Sequence, residues 1–151
     1  MLMLAVTVMI AAVVSTYAGG FADTNEKVPQ SSFKVRANLL ENTTYFDHAG
    51  GDPLSLENLQ VVFVSGENKT AIRTADIGTR CINFSQVGGG STIRAGDTFF
   101  IRGETPGNQN GNTGHTGIRF GNFVMMKDRE VTWMVIDTRS SKTISMGSFF
   151  L

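Results

Sequence analysis

"MLMLAVTVMIAAVVSTYAGG", residues 1–20, contains no charged side chain, and its reading decides how the rest of the chain is organised. Fifteen of the first 18 residues are apolar, the exceptions being Thr7, Ser15 and Thr16. The uncharged run extends to Ala22. As a helix with a rise of about 1.5 Å per residue, residues 1–22 span about 33 Å, close to the ~30 Å of a bilayer core. A cleaved secretory signal is the weakest reading: Thr16-Tyr17-Ala18 offers small residues for cleavage, but no basic residue precedes the apolar run. A lone membrane anchor and a helix that packs on other helices remain. The small residues favour packing. Ala11, Ser15 and Gly19 are spaced by four, as are Ala12, Thr16 and Gly20, which sets two neighbouring rows on one face. Such rows let helix backbones approach closely where lipid offers no hydrophobic driving force. Leu2, Val6, Met9 and Val13 supply the bulk elsewhere on the helix.

Beyond this head the chain changes character. All 13 basic and 13 acidic residues lie from Asp23 onward, giving zero net charge and no electrostatic case for binding nucleic acid. A length of 151 residues suits one domain with a real core. Residues 23–30 read as a junction, because Gly19-Gly20 can end a helix and Pro29 prevents its continuation. Residues 31–151 then read as strands. In "SFKVRANL", residues 32–39, Phe33, Val35, Ala37 and Leu39 alternate with Lys34, Arg36 and Asn38, as in a half-buried strand. "LQVVFVS", residues 59–65, is nearly continuous in apolar residues and belongs at the centre of a sheet, with "GENK" as a turn and "TAIRTAD" as its hairpin partner. "RCINFSQ" is expected to place Ile82 and Phe84 on the core face and Asn83 opposite them. With "DTFFIRG", "IRFGNFVMM", "EVTWMVIDT" and "KTISMGSFFL" the count reaches about eight strands. The expected architecture is α+β: a long N-terminal hydrophobic α-helix followed by an antiparallel β-sandwich of immunoglobulin-like type, without the Cys–Trp–Cys signature of a true immunoglobulin domain. The expected core includes Phe33, Val62, Phe84, Trp133 and Val135.

The head, the following strand and "HAGGDPLSLENLQVVF", residues 48–63, resemble the archaeal type IV pilin N-terminal family. The matching features are the apolar helix, a strand after it, and the turn His48-Ala49-Gly50-Gly51-Asp52. The ending "VTWMVIDTRSSKTISMGSFFL" is similar to the family's terminal hairpin. The resemblance implies a helix that resides in the membrane before assembly and then bundles with identical helices in a filament core, with the body outside. It also implies an extracellular homo-polymer, with adhesion as the expected role. A lone membrane-anchored surface domain that binds a ligand or envelope partner is the alternative. A heterologous contact that does not close produces a helical fibre, so identical subunits suffice.

Nothing in the sequence argues for catalysis, and no cofactor is implied. Asp47, His48 and Asp52 are read as parts of a turn rather than as a metal site, with Gly50-Gly51 supplying positive φ. "GETPGNQNGNTGHTG", residues 103–117, has one carboxylate, Glu104, too few for a calcium loop, and is read as an exposed contact loop. "GGGST", residues 88–92, lacks the lysine of a phosphate loop. The single cysteine, Cys81, is read as a packed thiol, and it excludes an internal disulfide. Three acceptor sequences for N-linked glycans occur, at Asn42, Asn68 and Asn83, and all three are expected on the outside of the body.

Overall fold

Short runs with alternating apolar residues, punctuated by glycine, fold here into strands. The computed structural model describes residues 27–106 and 115–151. The helix expected over residues 1–22, with its packing face of Ala11, Ala12, Ser15, Thr16, Gly19 and Gly20, lies outside the described residues. The described residues form twelve strands: β1 (Ser31–Asn38), β2 (Thr43–Gly51), β3 (Leu54–Ser55), β4 (Leu59–Ser65), β5 (Asn68–Arg73), β6 (Asn83–Gln86), β7 (Thr92–Ile93), β8 (Thr98–Arg102), β9 (Gly117–Phe120), β10 (Phe123–Met126), β11 (Glu130–Asp137) and β12 (Lys142–Phe150). All strand pairs are antiparallel.

Two four-stranded sheets carry the architecture, in the orders β1-β2-β8-β6 and β12-β11-β4-β5. With the two-stranded pieces β3-β7 and β9-β10 set aside, these orders read A-B-E-D against G-F-C-C′, the arrangement of immunoglobulin-like sandwiches. The core between the sheets is largely aromatic. Phe46 of β2 stacks on Phe99 of β8 with centroids 4.7 Å apart and planes 1° from parallel. Phe33 meets both rings edge-on, and Trp133 of β11 meets Phe46 edge-on at 5.8 Å. Phe63 of β4 tilts against Phe46 and stacks on Phe120 of β9, so the small β9-β10 hairpin is fastened to the same core.

The structure corrects the strand reading in four places. There are twelve described strands rather than about eight, the additions including two-residue pieces too short to show a period. The segment read as a turn from His48 is strand β2 as far as Gly51. Its inward positions include Thr44 and His48, polar residues that conceal the alternation. Ile82 is 52% exposed while Cys81 is buried, because β6 begins only at Asn83 and the preceding residues form a bend. Asn68 is the first residue of β5, not part of the turn. Of the expected core residues, Phe33, Phe84, Trp133 and Val135 belong to the core cluster. Val62 is also buried, but on the opposite face of β4, between Met134 and Ala71 of the neighbouring strands.

Trp133 lies over Gly147 of β12, its register partner; a Cβ at Gly147 would stand 2.8 Å from the indole Cζ2. Truncating a buried aromatic to alanine costs ~3–5 kcal/mol and overpacking typically ~1–3 kcal/mol. Trp133→Ala should therefore lower the melting temperature steeply and Gly147→Ala moderately. The Gly147→Ala penalty should shrink in a Trp133→Phe background, where the clashing indole atoms are gone. Additive penalties in thermal melts would show that the glycine does not serve the tryptophan.

Candidate functional site

The chain enters the body at Gln30, and the segment around Asp52 holds it there. The Gln30 N–H donates to Asp52 Oδ2 at 3.0 Å, while the Asp52 N–H donates to the Gln30 carbonyl at 2.8 Å. Ser31 Oγ donates to the Asp52 carbonyl at 2.9 Å, which also accepts from the ring of the buried His48 through Nε2 at 3.0 Å. Gly51 makes the approach possible: its φ is +112°, and a Cβ there would stand 2.1 Å from the Gln30 oxygen. Phe33 packs edge-on against the His48 ring at 5.2 Å, tying this clasp to the core. The residues His48–Asp52 thus form the fastening between junction and body.

The same geometry answers the metal question. Asp47 points to the outer face, where it accepts from Arg36 Nε at 3.2 Å and Thr98 Oγ1 at 2.6 Å. The Asp52 carboxylate accepts from Gln30, and the His48 ring is turned to a backbone carbonyl. Among the described residues no group of three His, Cys, Asp or Glu is placed to hold a metal ion. Cys81 is buried beside the core, and desolvation, with a smaller contribution from Asp76, pushes its thiol up to about 11. A thiol so placed is a poor nucleophile at neutral pH.

The three acceptor asparagines are not equivalent. Asn42 sits in the β1-β2 turn at φ +53°, with Nδ2 donating to Thr105 Oγ1 at 2.8 Å, Oδ1 buried, and its backbone carbonyl accepting from Gly103. Asn83 is half-buried in edge strand β6, in register with Arg102 of β8. Asn68 alone of the three is exposed. It follows the tight turn of Gly66 and Glu67 and lies on the rim of a cleft.

The two outer faces also differ. On β1-β2-β8-β6, the Arg36 guanidinium covers Tyr45 at 4.5 Å and that of Arg102 covers Phe100 at 5.8 Å, beside the Arg36–Asp47 pair. On β12-β11-β4-β5, one register row runs Met146, Met134, Val62, Ala71 across all four strands, with Met146 64% exposed. The first face is laced by arginine–aromatic contacts, whereas the second carries an apolar row of which Met146 is exposed.

Residues 1–33 match the family model described as archaeal type IV pilin, N-terminal. The match agrees with the resemblance over these residues and ends inside β1, ahead of the His48–Asp52 clasp. An uncharacterized protein of Archaeoglobus fulgidus is 30% identical over 93 residues, which is 61% of this chain; the chain spans 64% of that relative's length. Among solved structures, similarity is found to the archaellum periplasmic stator protein FlaG from Sulfolobus acidocaldarius, at TM-score 0.49 and 12% identity, covering 81% of this chain and 100% of that one. The complex of FlaF and FlaG from the same organism is similar at TM-score 0.49 and 13% identity, covering 85% of this chain and 96% of that one.

Asp52→Ala removes the clasp's one side-chain acceptor, Oδ2, and tryptic cleavage after Lys27 and Lys34 should accelerate while the body stays folded; an unchanged cleavage rate would mean that the backbone hydrogen bonds alone hold the junction. Iodoacetamide at pH 8 should leave Cys81 unmodified in the native chain and alkylate it promptly in denaturant. Rapid alkylation of the native protein would contradict the buried, proton-retaining thiol.

Proposed function

We propose that this chain is a structural subunit of an archaeal type IV-like pilus. It polymerises through residues 1–22 into an extracellular filament, with the sandwich of residues 31–151 on the outside and residues 23–30 between them. The observation that carries this reading is the match of residues 1–33 to the archaeal type IV pilin N-terminal family, over a segment whose first 22 residues hold no charge. Before assembly the same segment resides in the membrane, since a helix content in lipid is equally content among apolar helices. Ala11, Ala12, Ser15, Thr16, Gly19 and Gly20 form the face on which neighbouring helices approach. The partner is a second copy of this chain, and adhesion is the proposed use of the filament. N-linked glycans are proposed for its outer surface, with Asn68 the favoured carrier.

The body supports this reading in two ways. Among the described residues its core is built from side chains from Phe33 onward. The clasp at Asp52 holds the point where pull from a filament core would reach the sandwich. A subunit that only anchors itself in the membrane needs no small-residue face, and this separates the two readings.

Ser15→Leu and Gly19→Leu should abolish or strongly reduce filaments seen on cells, whereas Leu4→Ile should leave them unchanged, because bulk on the small face holds helix backbones apart. Normal filaments from both leucine variants would refute packing through that face. Cutting the chain after Ala22 should yield a folded, β-rich monomer that forms no filaments; a truncated chain that still polymerises would place the assembly contact in the body instead.

A further inference from the structure

A cleft of about 540 Å³ opens between β5, the loop at Thr79-Arg80, and the β9-β10 turn. That volume falls within the range of about 300–1,000 Å³ usual for small-ligand sites. Phe120 and Phe123 lie beneath the cleft, both buried in the core. Its walls are polar: Asn68, Thr70, Thr79 and Asn122 offer amides and hydroxyls, and Arg80 brings a positive charge. No carboxylate lines it. The acids nearby are engaged, Glu104 with Arg119 and Asp76 with the Arg73 N–H, and Glu67 lies exposed in the turn before Asn68.

The arrangement is built rather than incidental. β5 is the edge of its sheet, so alternate backbone groups face away from β4. Arg80 uses one of these: its Nη1 donates to the Ala71 carbonyl at 2.9 Å, which fixes the guanidinium and leaves its other N–H groups for an anion. Asn68 and Thr70, two apart on a strand, project on the same side, and both line the cleft. Amides and hydroxyls around a cleft suit the hydroxyls of a sugar, and a guanidinium held at its edge suits a carboxylate. We infer that this cleft binds an acidic saccharide, a sugar ring bearing a carboxylate or comparable anionic group. The sugar has two possible sources, a glycan carried on Asn68 at the rim or a free saccharide. Only the first source rests on the surface-filament reading.

The test is calorimetric titration of the full chain, extracted in detergent, with glucuronate, glucose and inorganic phosphate, in the Asn68→Gln form so that no glycan fills the cleft. Glucuronate should bind saturably and at least about tenfold more tightly than either control, the scale of one or two charge-assisted hydrogen bonds. Asn122→Glu, an exposed turn position, should weaken glucuronate binding about tenfold or more without moving the melting temperature, and Arg80→Met should do the same. If glucose binds equally, the anionic part is wrong; if phosphate binds equally, the sugar part is wrong. Absent saturable binding, or binding untouched by both variants, overturns the proposal. Titration of the native chain then separates the sources: glucuronate excluded there but admitted by Asn68→Gln means an attached glycan occupies the cleft, and equal binding by both means a free saccharide. The absence of filaments on cells would refute the filament reading and leave these titrations unaffected.

Discussion

The stacked pair of Phe46 and Phe99 is where the two sheets of this protein are fastened together. The rings lie parallel at 4.7 Å within one sheet, and the second sheet closes on them through Trp133 and Phe63. Offset and edge-to-face contacts of this kind add ~0.5–1.5 kcal/mol per pair beyond the area they bury. The position of the clasp is tied to this cluster, because Phe33, one edge-on partner, stands three residues after Gln30, where the chain enters the body. The core that holds the sandwich shut thereby also fixes where the N-terminal segment joins it.

Charge is distributed to the same effect. An uncharged run over residues 1–22 and a remainder from Asp23 onward that holds every charge have opposite solvation needs, and one molecule satisfies both by separating them in sequence. The separation has to be mechanically continuous, and the paired hydrogen bonds between Gln30 and Asp52, seated over Gly51, provide that continuity at the edge of a sheet. The polar face with its arginine–aromatic contacts and the apolar row through Met146 and Met134 leave the two sides of the body unlike one another.

Much of the sandwich was legible in the sequence, because strands such as β1 and β11 alternate cleanly between core and solvent. β2 was not, for a physical reason: Thr43, Thr44 and His48 are polar residues buried by the fold, and Gly50-Gly51 imitate a turn while remaining in the ladder. The displacement of Ile82 by Cys81 at the core has a similar origin, a bend before β6 that shifts the period by one residue. The acceptor asparagines were visible but could not be ranked, since what withdraws Asn42 is a hydrogen bond to Thr105, 63 residues away. The cleft was invisible for the same reason, being assembled from three separate segments. The family resemblance, by contrast, rested on local pattern: the family model matches residues 1–33, while residues 48–63 and the terminal hairpin, also read as similar, lie outside that match.

The account stands or falls on whether this chain builds a filament. Immunogold labelling of material sheared from cells, with antibody raised against residues 31–151 and viewed by negative stain, tests that directly. The prediction is gold along the whole length of thin filaments, because every subunit exposes its sandwich. Gold confined to membrane fragments, with filaments unlabelled or absent, would contradict it.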